Sequence, residues 1–344
     1  MIFSSDNWAG ASAPVSEALT RHASGLVPAY GNDPLTDAVT RRFSQIFERD
    51  VAVFFVATGT AANALALSAY ARPGGVIFSH QSAHIQVDEC GAPEFFTGGG
   101  KLRGLPGANG KIDPADLIRL MGEHPDGNPM HGQVSAVSIS QATECGTVYR
   151  PDEIRALAEA AHARGIPLHM DGARFANAVA FLGLSPAEVT WRAGVDVLSF
   201  GATKNGCWCA EAVIFFNPDS ALQFAYLRKR AGHLFSKSRF AAAQFEGYLA
   251  DGHWLANAGH ANAMARRLAQ GLEAAGNRLA WPVEANEVFP VLSRATIARL
   301  RAAGALFYEW PADGVDPDQS AVRLVASFAT DPADVDRFVA VAAG

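Results

Sequence analysis

Short apolar runs rich in Val, Ile and Phe recur along the first two thirds of this chain, separated by stretches of helical period. The runs are 51–56 (VAVFFV), 75–79 (GVIFS), 133–139 (QVSAVSI), 166–170 (IPLHM), 195–200 (VDVLSF) and 211–216 (EAVIFF). Runs this short do not make helices, and nearly continuous apolar character suits strands buried on both faces. The intervening segments carry helix start signals. Asp113 precedes Pro114, and Pro151 with Asp152 and Glu153 opens a segment that closes on His162, Arg164 and Gly165. This alternation predicts a mostly parallel sheet covered by helices.

After about residue 235 the texture changes. A long Ala-rich helical stretch (253–276) leads to EVFPVLS (287–293), a helix over 294–303, ALFYEW (305–310), AVRLVASF (321–328) and a last helix near 332–342. At 344 residues the chain exceeds what one core usually holds, so two unequal domains are expected. The division read from texture is an N-terminal arm at 1–15, expected to pack on a partner subunit, a large α/β domain at 16–235 and a small α+β domain at 236–344.

Net charge is −6, with no concentrated basic stripe, which argues against nucleic acid as a partner. Arg228, Lys229 and Arg230 read as the charged end of a helix. No run approaches the roughly 18 apolar residues of a membrane span. The opening residues, MIFSSDNWAG, lack the pattern of a signal peptide, so a cytoplasmic protein is expected. Cys90, Cys145, Cys207 and Cys209 suit reduced thiols. Cys207 and Cys209 are one residue apart with no second pair, so no metal site is expected, and CWC reads as packing for the next strand.

Three segments carry chemistry, each ambiguous alone. In TGTAAN (58–63), a strand passes through small residues into a helix near Thr60, and the free backbone N–H groups of such a start can cradle a phosphate. A tight turn needing only small residues would look the same. In LHMDGAR (168–174), Asp171 sits at the end of a buried strand, where α/β sheets place ligands; a helix cap paired with Arg174 is the plain alternative. In FGATKNG (200–206), Lys204 stands among small residues. A lone lysine after a strand is usually a surface charge, whereas a desolvated one can form an imine with an aldehyde. The order of phosphate turn, strand-end Asp and later Lys is far more specific than any one of them.

Together with SDN, AYGNDP, AHIQVDECGAPEFF, QATECGTVYRPDEI and VRLVASF, these segments resemble the low-specificity L-threonine aldolases of the threonine aldolase/β-eliminating lyase family over nearly the whole chain. The resemblance implies the aspartate aminotransferase-like fold (fold type I), pyridoxal 5'-phosphate as cofactor, and cleavage of β-hydroxy-α-amino acids to glycine and an aldehyde. Another lyase or transaldolase reaction on the same cofactor is the alternative. It implies Lys204 as the Schiff-base lysine, Asp171 on the ring nitrogen, and Gly59 and Thr60 at the phosphate. His84 would stack on the ring and reach the substrate's β-hydroxyl, with His131 as the candidate second histidine. Arg174 and Arg323 would hold the substrate carboxylate, helped by Ser5. Tyr30 would line the site from a neighbouring subunit of a homodimer or homotetramer with shared sites. In place of the family's GGxxRQ segment stands AGHLFSKSRF, so Lys237 or Arg239 is the candidate phosphate contact across the interface.

Overall fold

The computed structural model describes residues 1–344. Its larger sheet holds β1 (Ala52–Val56), β2 (Val76–His80), β3 (Lys101–Leu105), β4 (Val134–Ser140), β5 (Leu168–Gly172), β6 (Val197–Gly201) and β7 (Glu211–Phe215). They lie in the order β1-β7-β6-β5-β4-β2-β3. β2 to β6 run parallel, and β7 lies antiparallel between β1 and β6. Six of these strands answer the apolar runs. β3, with sequence KLRGL, escapes that reading because it is an edge strand only partly covered.

β4, β5, β6 and β7 are buried along their whole length, which is why apolar residues occupy both of their faces, with buried polar side chains among them. Aromatic side chains fill one face. Phe43 packs edge-on against Phe200 at 5.3 Å and Phe245 at 5.2 Å. Such pairs contribute about 0.5–1.5 kcal/mol each beyond burial. The helix starts follow their sequence signals. Asp113 Oδ1 accepts from the Ala115 N–H at 2.7 Å, and Asp33 Oδ1 accepts from Thr36 N–H at 2.9 Å ahead of Pro34.

The C-terminal part builds a small antiparallel sheet from β8 (Glu287–Val288), β9 (Val291–Ser293), β10 (Tyr308–Trp310) and β11 (Gln319–Val325). Its own core contains Leu268, Leu272, Val288, Leu300, Leu324 and Phe338. Phe245, Trp254 and Ala258 pack in the main core, and Met264, Ala265 and Leu268 in the second. Both sets lie on or beside one helix, His253–Ala274, so no break in texture marks the change.

The N-terminal arm is anchored by backbone hydrogen bonds within the protomer. It packs on its own chain. Phe3 is fully buried in the second core, its N–H donates to the Leu306 carbonyl at 2.9 Å, and its carbonyl accepts from Val325 N–H at 2.9 Å. No helix of this structure is long and apolar enough to cross a membrane.

Candidate active site

The C-terminal ends of β4, β5 and β6 open into a cleft of about 440 Å³. Register sets its floor: Ser140 on β4 lies beside Asp171 on β5, which lies beside Ser199 on β6. Asp171 is buried. Its Oδ2 accepts from Asn63 Nδ2 at 2.8 Å and its Oδ1 from Ala173 N–H at 2.9 Å. Below it, His169 bridges Ser138 Oγ (2.8 Å) and Ser199 Oγ (2.9 Å), and burial depresses its pKa to about 4, so it is a neutral strut.

Lys204 enters from the turn after β6. Backbones must approach closely here, since a Cβ at Gly201 would sit 2.6 Å from Ala173 Cα. Gly206 closes the turn at φ +128°, a region that favours glycine. The Lys204 ammonium lines the cleft and makes no hydrogen bond or ion pair with the protein. On the facing side begins the helix Gly59–Ser68. Thr58 Oγ1 caps Ala61 N–H at 3.1 Å, and its carbonyl takes Ala62 N–H at 3.0 Å, which leaves the Gly59 and Thr60 N–H groups without partners. Such a start suits an anion.

His84 is the one histidine lining the cleft. Its Nδ1 lies 2.8 Å from Glu89 Oε1, and its backbone N–H donates to Glu144 Oε1 at 2.9 Å. A carboxylate only accepts, so Nδ1 carries the proton and Nε2 is left as a base. The hydrogen bond that His84 donates to Glu89 raises the His84 pKa above its ordinary value. Glu89→Gln is therefore expected to lower it, moving the acidic limb of the pH–rate profile to lower pH. An unchanged acidic limb would rule out this pairing as the control on His84.

The model of the beta-eliminating lyase family matches residues 3–295. The chain belongs to the beta-eliminating lyase family. It is 45% identical over 96% of its length to the low specificity L-threonine aldolase of Pseudomonas aeruginosa, covering 93% of that protein. The solved threonine aldolase of Leishmania major superposes with a TM-score of 0.93 at 30% identity, covering 99% of this chain and 98% of that one. The aspartate aminotransferase of Thermus thermophilus, at 17% identity and a TM-score of 0.68, covering 97% of this chain and 88% of its own, shares the fold.

Of the residues singled out on family resemblance, the cleft gathers Gly59, Thr60, His84, Asp171, Arg174 and Lys204. His131 is not among them. It is exposed in the loop before β4, at the opposite end of the sheet, with its ring 6.1 Å from that of His124. A residue preceding a parallel strand cannot share an end with residues that follow one. Ser5 caps a short turn through Asn7 N–H at 3.1 Å, and Asn7 rather than Ser5 lines the cleft. Tyr30 is half exposed away from it, with its N–H on the Ser236 carbonyl at 3.0 Å. Arg323 stacks over Trp310 at 4.4 Å, outside the cleft lining, with a buried Nε that has no partner.

Arg174 is already engaged. Asp6 grips it at 2.8 and 3.0 Å, and Glu287 lies 3.3 Å away. Arg174 thus ties the N-terminal arm, the large sheet and the small domain together beside the cleft. Trp208 and Cys209 also line the cleft, Trp208 being 70% exposed, so of the CWC segment only Cys207 packs inward.

Sequence reasoning assigned no role to Asn63, Glu89, Glu144 or Glu211. Asn63 carried a usable signal, since it lies four residues after Gly59 and so on the same helix face. It joins Glu89 to Asp171, with Nδ2 2.8 Å from each acceptor. Glu211 Oε2 accepts from Ala202 N–H at 2.8 Å, and burial pushes its pKa up to about 7.

Proposed function

We propose that this protein is a pyridoxal-phosphate-dependent aldolase that cleaves L-threonine, L-allo-threonine and related β-hydroxy-α-amino acids, phenylserine among them, to glycine and an aldehyde. The observation that carries the reading is the convergence of an uncommitted ammonium, a buried strand-end carboxylate and a carboxylate-held histidine on one cleft. The donor set fits the cofactor. Lys204 would hold its aldehyde carbon, Asp171 its ring nitrogen, and the free N–H groups of Gly59 and Thr60 its phosphate. When bound, the cofactor supplies an electron sink next to the substrate's Cα.

The chain's residues supply orientation and proton handling. The Asp171 carboxyl is fixed at the floor by Asn63 Nδ2 and the Ala173 N–H. His84 Nε2, left free by the Nδ1–Glu89 contact, takes the β-hydroxyl proton as the Cα–Cβ bond opens. Arg323, outside the cleft lining but with an unpartnered Nε, would turn in to take the substrate carboxylate, because Arg174 is spent on Asp6 and Glu287.

The reading includes a homodimer or homotetramer with shared sites. Supporting it, the segments around Tyr30 and the basic residues 228–239 are held together: Lys229 lies 5.3 Å over the Tyr30 ring, and Arg239 donates to the Gly25 carbonyl at 3.2 Å. Leu26 and Tyr226 stand exposed beside them. The four free cysteines suit a reducing, cytoplasmic setting.

Incubation of the holoprotein with L-threonine, L-allo-threonine and L-phenylserine is expected to yield glycine and the matching aldehyde in equal amounts. Ammonia and a keto acid as main products would replace this reading with β-elimination.

A further inference from the structure

Glu144 follows β4 and lines the cleft; the residue is half-buried, and its Oε2 is shut off from water. Both local donors converge on a single oxygen: Ser140 Oγ at 2.6 Å and His84 N–H at 2.9 Å each donate to Oε1. Oε2 is buried and has no partner at all. An ionised carboxylate would leave one charged oxygen bare in a dry wall, a costly arrangement. A protonated carboxyl resolves it. The carbonyl-type oxygen is the one receiving two hydrogen bonds, so the proton belongs on Oε2 and turns the orphan acceptor into a donor.

The groups facing Glu144 agree. Asp171 from β5 repels a second negative charge. His84 presents its backbone N–H to Oε1, and its ring is turned to Glu89. Arg174, ahead of the helix Phe175–Leu182, is the cation whose field reaches Glu144, but Asp6 and Glu287 already occupy it. Cys145 and Tyr149 on the same segment are raised by burial and stay neutral. Burial first and Asp171 with it push the Glu144 pKa up to about 7.

We propose that Glu144 works in this site as an uncharged carboxylic acid whose Oε2–H, uncovered as the substrate seats beside it, donates a hydrogen bond to the substrate oxygen that His84 deprotonates. The inference rests on the aldolase reading for its substrate. As the Cα–Cβ bond breaks, its electron pair stays on Cα. The β-hydroxyl proton passes to His84 Nε2, and the C–O bond becomes the aldehyde C=O. Glu144 keeps its own proton throughout and holds the oxygen while negative charge builds on it, as a fixed oxyanion donor does. His84 and Glu144 then divide the work, one as base and the other as donor, on two sides of one oxygen. This is how neighbouring acids set at different pKa values usually share a reaction.

The test compares the wild-type holoprotein with Glu144→Gln and Glu144→Ala. Glutamine keeps the two bonds to its Oε1 and places an N–H donor where Oε2–H stood; alanine removes both. Glu144→Ala is expected to lower kcat for L-threonine by ~10²–10³-fold with little change in KM, and Glu144→Gln by only ~10-fold. Glu144→Gln should also lose the alkaline fall centred near the Glu144 pKa of about 7. Independently of turnover, the infrared difference spectrum of wild type minus Glu144→Gln should show a carboxylic-acid C=O stretch at mildly acidic pH that vanishes well above neutrality. Absence of that band at every pH, or a Glu144→Gln variant as impaired as Glu144→Ala, would overturn the proposal. A wild-type protein that shows the band but makes no glycine from L-threonine would instead sink the aldolase reading and leave the protonated carboxyl standing.

Discussion

Lys204→Ala is expected to remove turnover of L-threonine almost completely, with kcat/KM down by ~10⁴-fold or more, as when a covalent catalytic group is deleted. The same substitution should abolish the absorbance near the visible edge that a lysine-linked cofactor gives the holoprotein. It should do so without harming the fold. The Lys204 side chain makes no hydrogen bond or ion pair to the protein, and the turn that carries it is held by Asn205, whose Nδ2 donates to Tyr248 Oη at 2.7 Å and the Trp254 carbonyl at 2.8 Å. Thermal midpoint and circular dichroism of the apoprotein should therefore match the wild type. Retained absorbance or retained cleavage in this variant would mean that Lys204 is not the residue holding the cofactor.

Arg174→Met is expected to act in the opposite way, through the fold. The Asp6 and Glu287 side chains are each 2% exposed, and Arg174 is their shared counter-ion at 2.8 and 3.3 Å. Removing it leaves two carboxylates in a dry junction, which costs about 3–5 kcal/mol of stability. The sign with pH follows from the groups themselves. Burial alone would push Asp6 up, but Arg174 beside it holds its carboxyl below the ordinary value. Asp6 thus contributes stability that is present above its unfolded pKa and is lost as pH falls through its folded one. Without Arg174, burial raises both carboxyls. The variant should then be weakest at neutral pH and should recover relative to wild type as the solution is acidified. Urea unfolding midpoints at about pH 7 and pH 5 measure this. A gap that is small, or the same at both pH values, would show that the junction is not held by this charge cluster.

Glu89→Gln and the Glu144 variants probe the chemistry between these extremes. They separate the base from the donor, because one should move the acidic limb of the profile and the other the alkaline limb.

The parallel sheet was readable because its strands are buried on both faces, and such strands carry apolar residues on both, in short Val-, Ile- and Phe-rich runs. Asp171 and Lys204 were readable because one closes such a strand and the other follows one, and the C-terminal ends of parallel strands share one end of a sheet. The same rule explains His131: a histidine that precedes β4 is carried to the far end, and no local pattern reveals this until the strand's direction is known. β3 hid because an edge strand needs no apolar run. The four helpers of the cleft hid for a different reason. Asn63, Glu89, Glu144 and Glu211 come from four separate elements, and their roles depend on distances of 2.6 to 2.9 Å across gaps in sequence of up to 108 residues.

By itself, then, the amino-acid sequence determined the layered α/β architecture and the order of turn, aspartate and lysine that marks the site, since periodicity and strand-end position are local properties. Only the tertiary structure decided which histidine enters the cleft, that Arg174 is already spent on two buried acids, and which oxygen of Glu144 stands unpaired. Those are questions of who is left without a partner, and a side chain's partners are known only once the chain has closed around it.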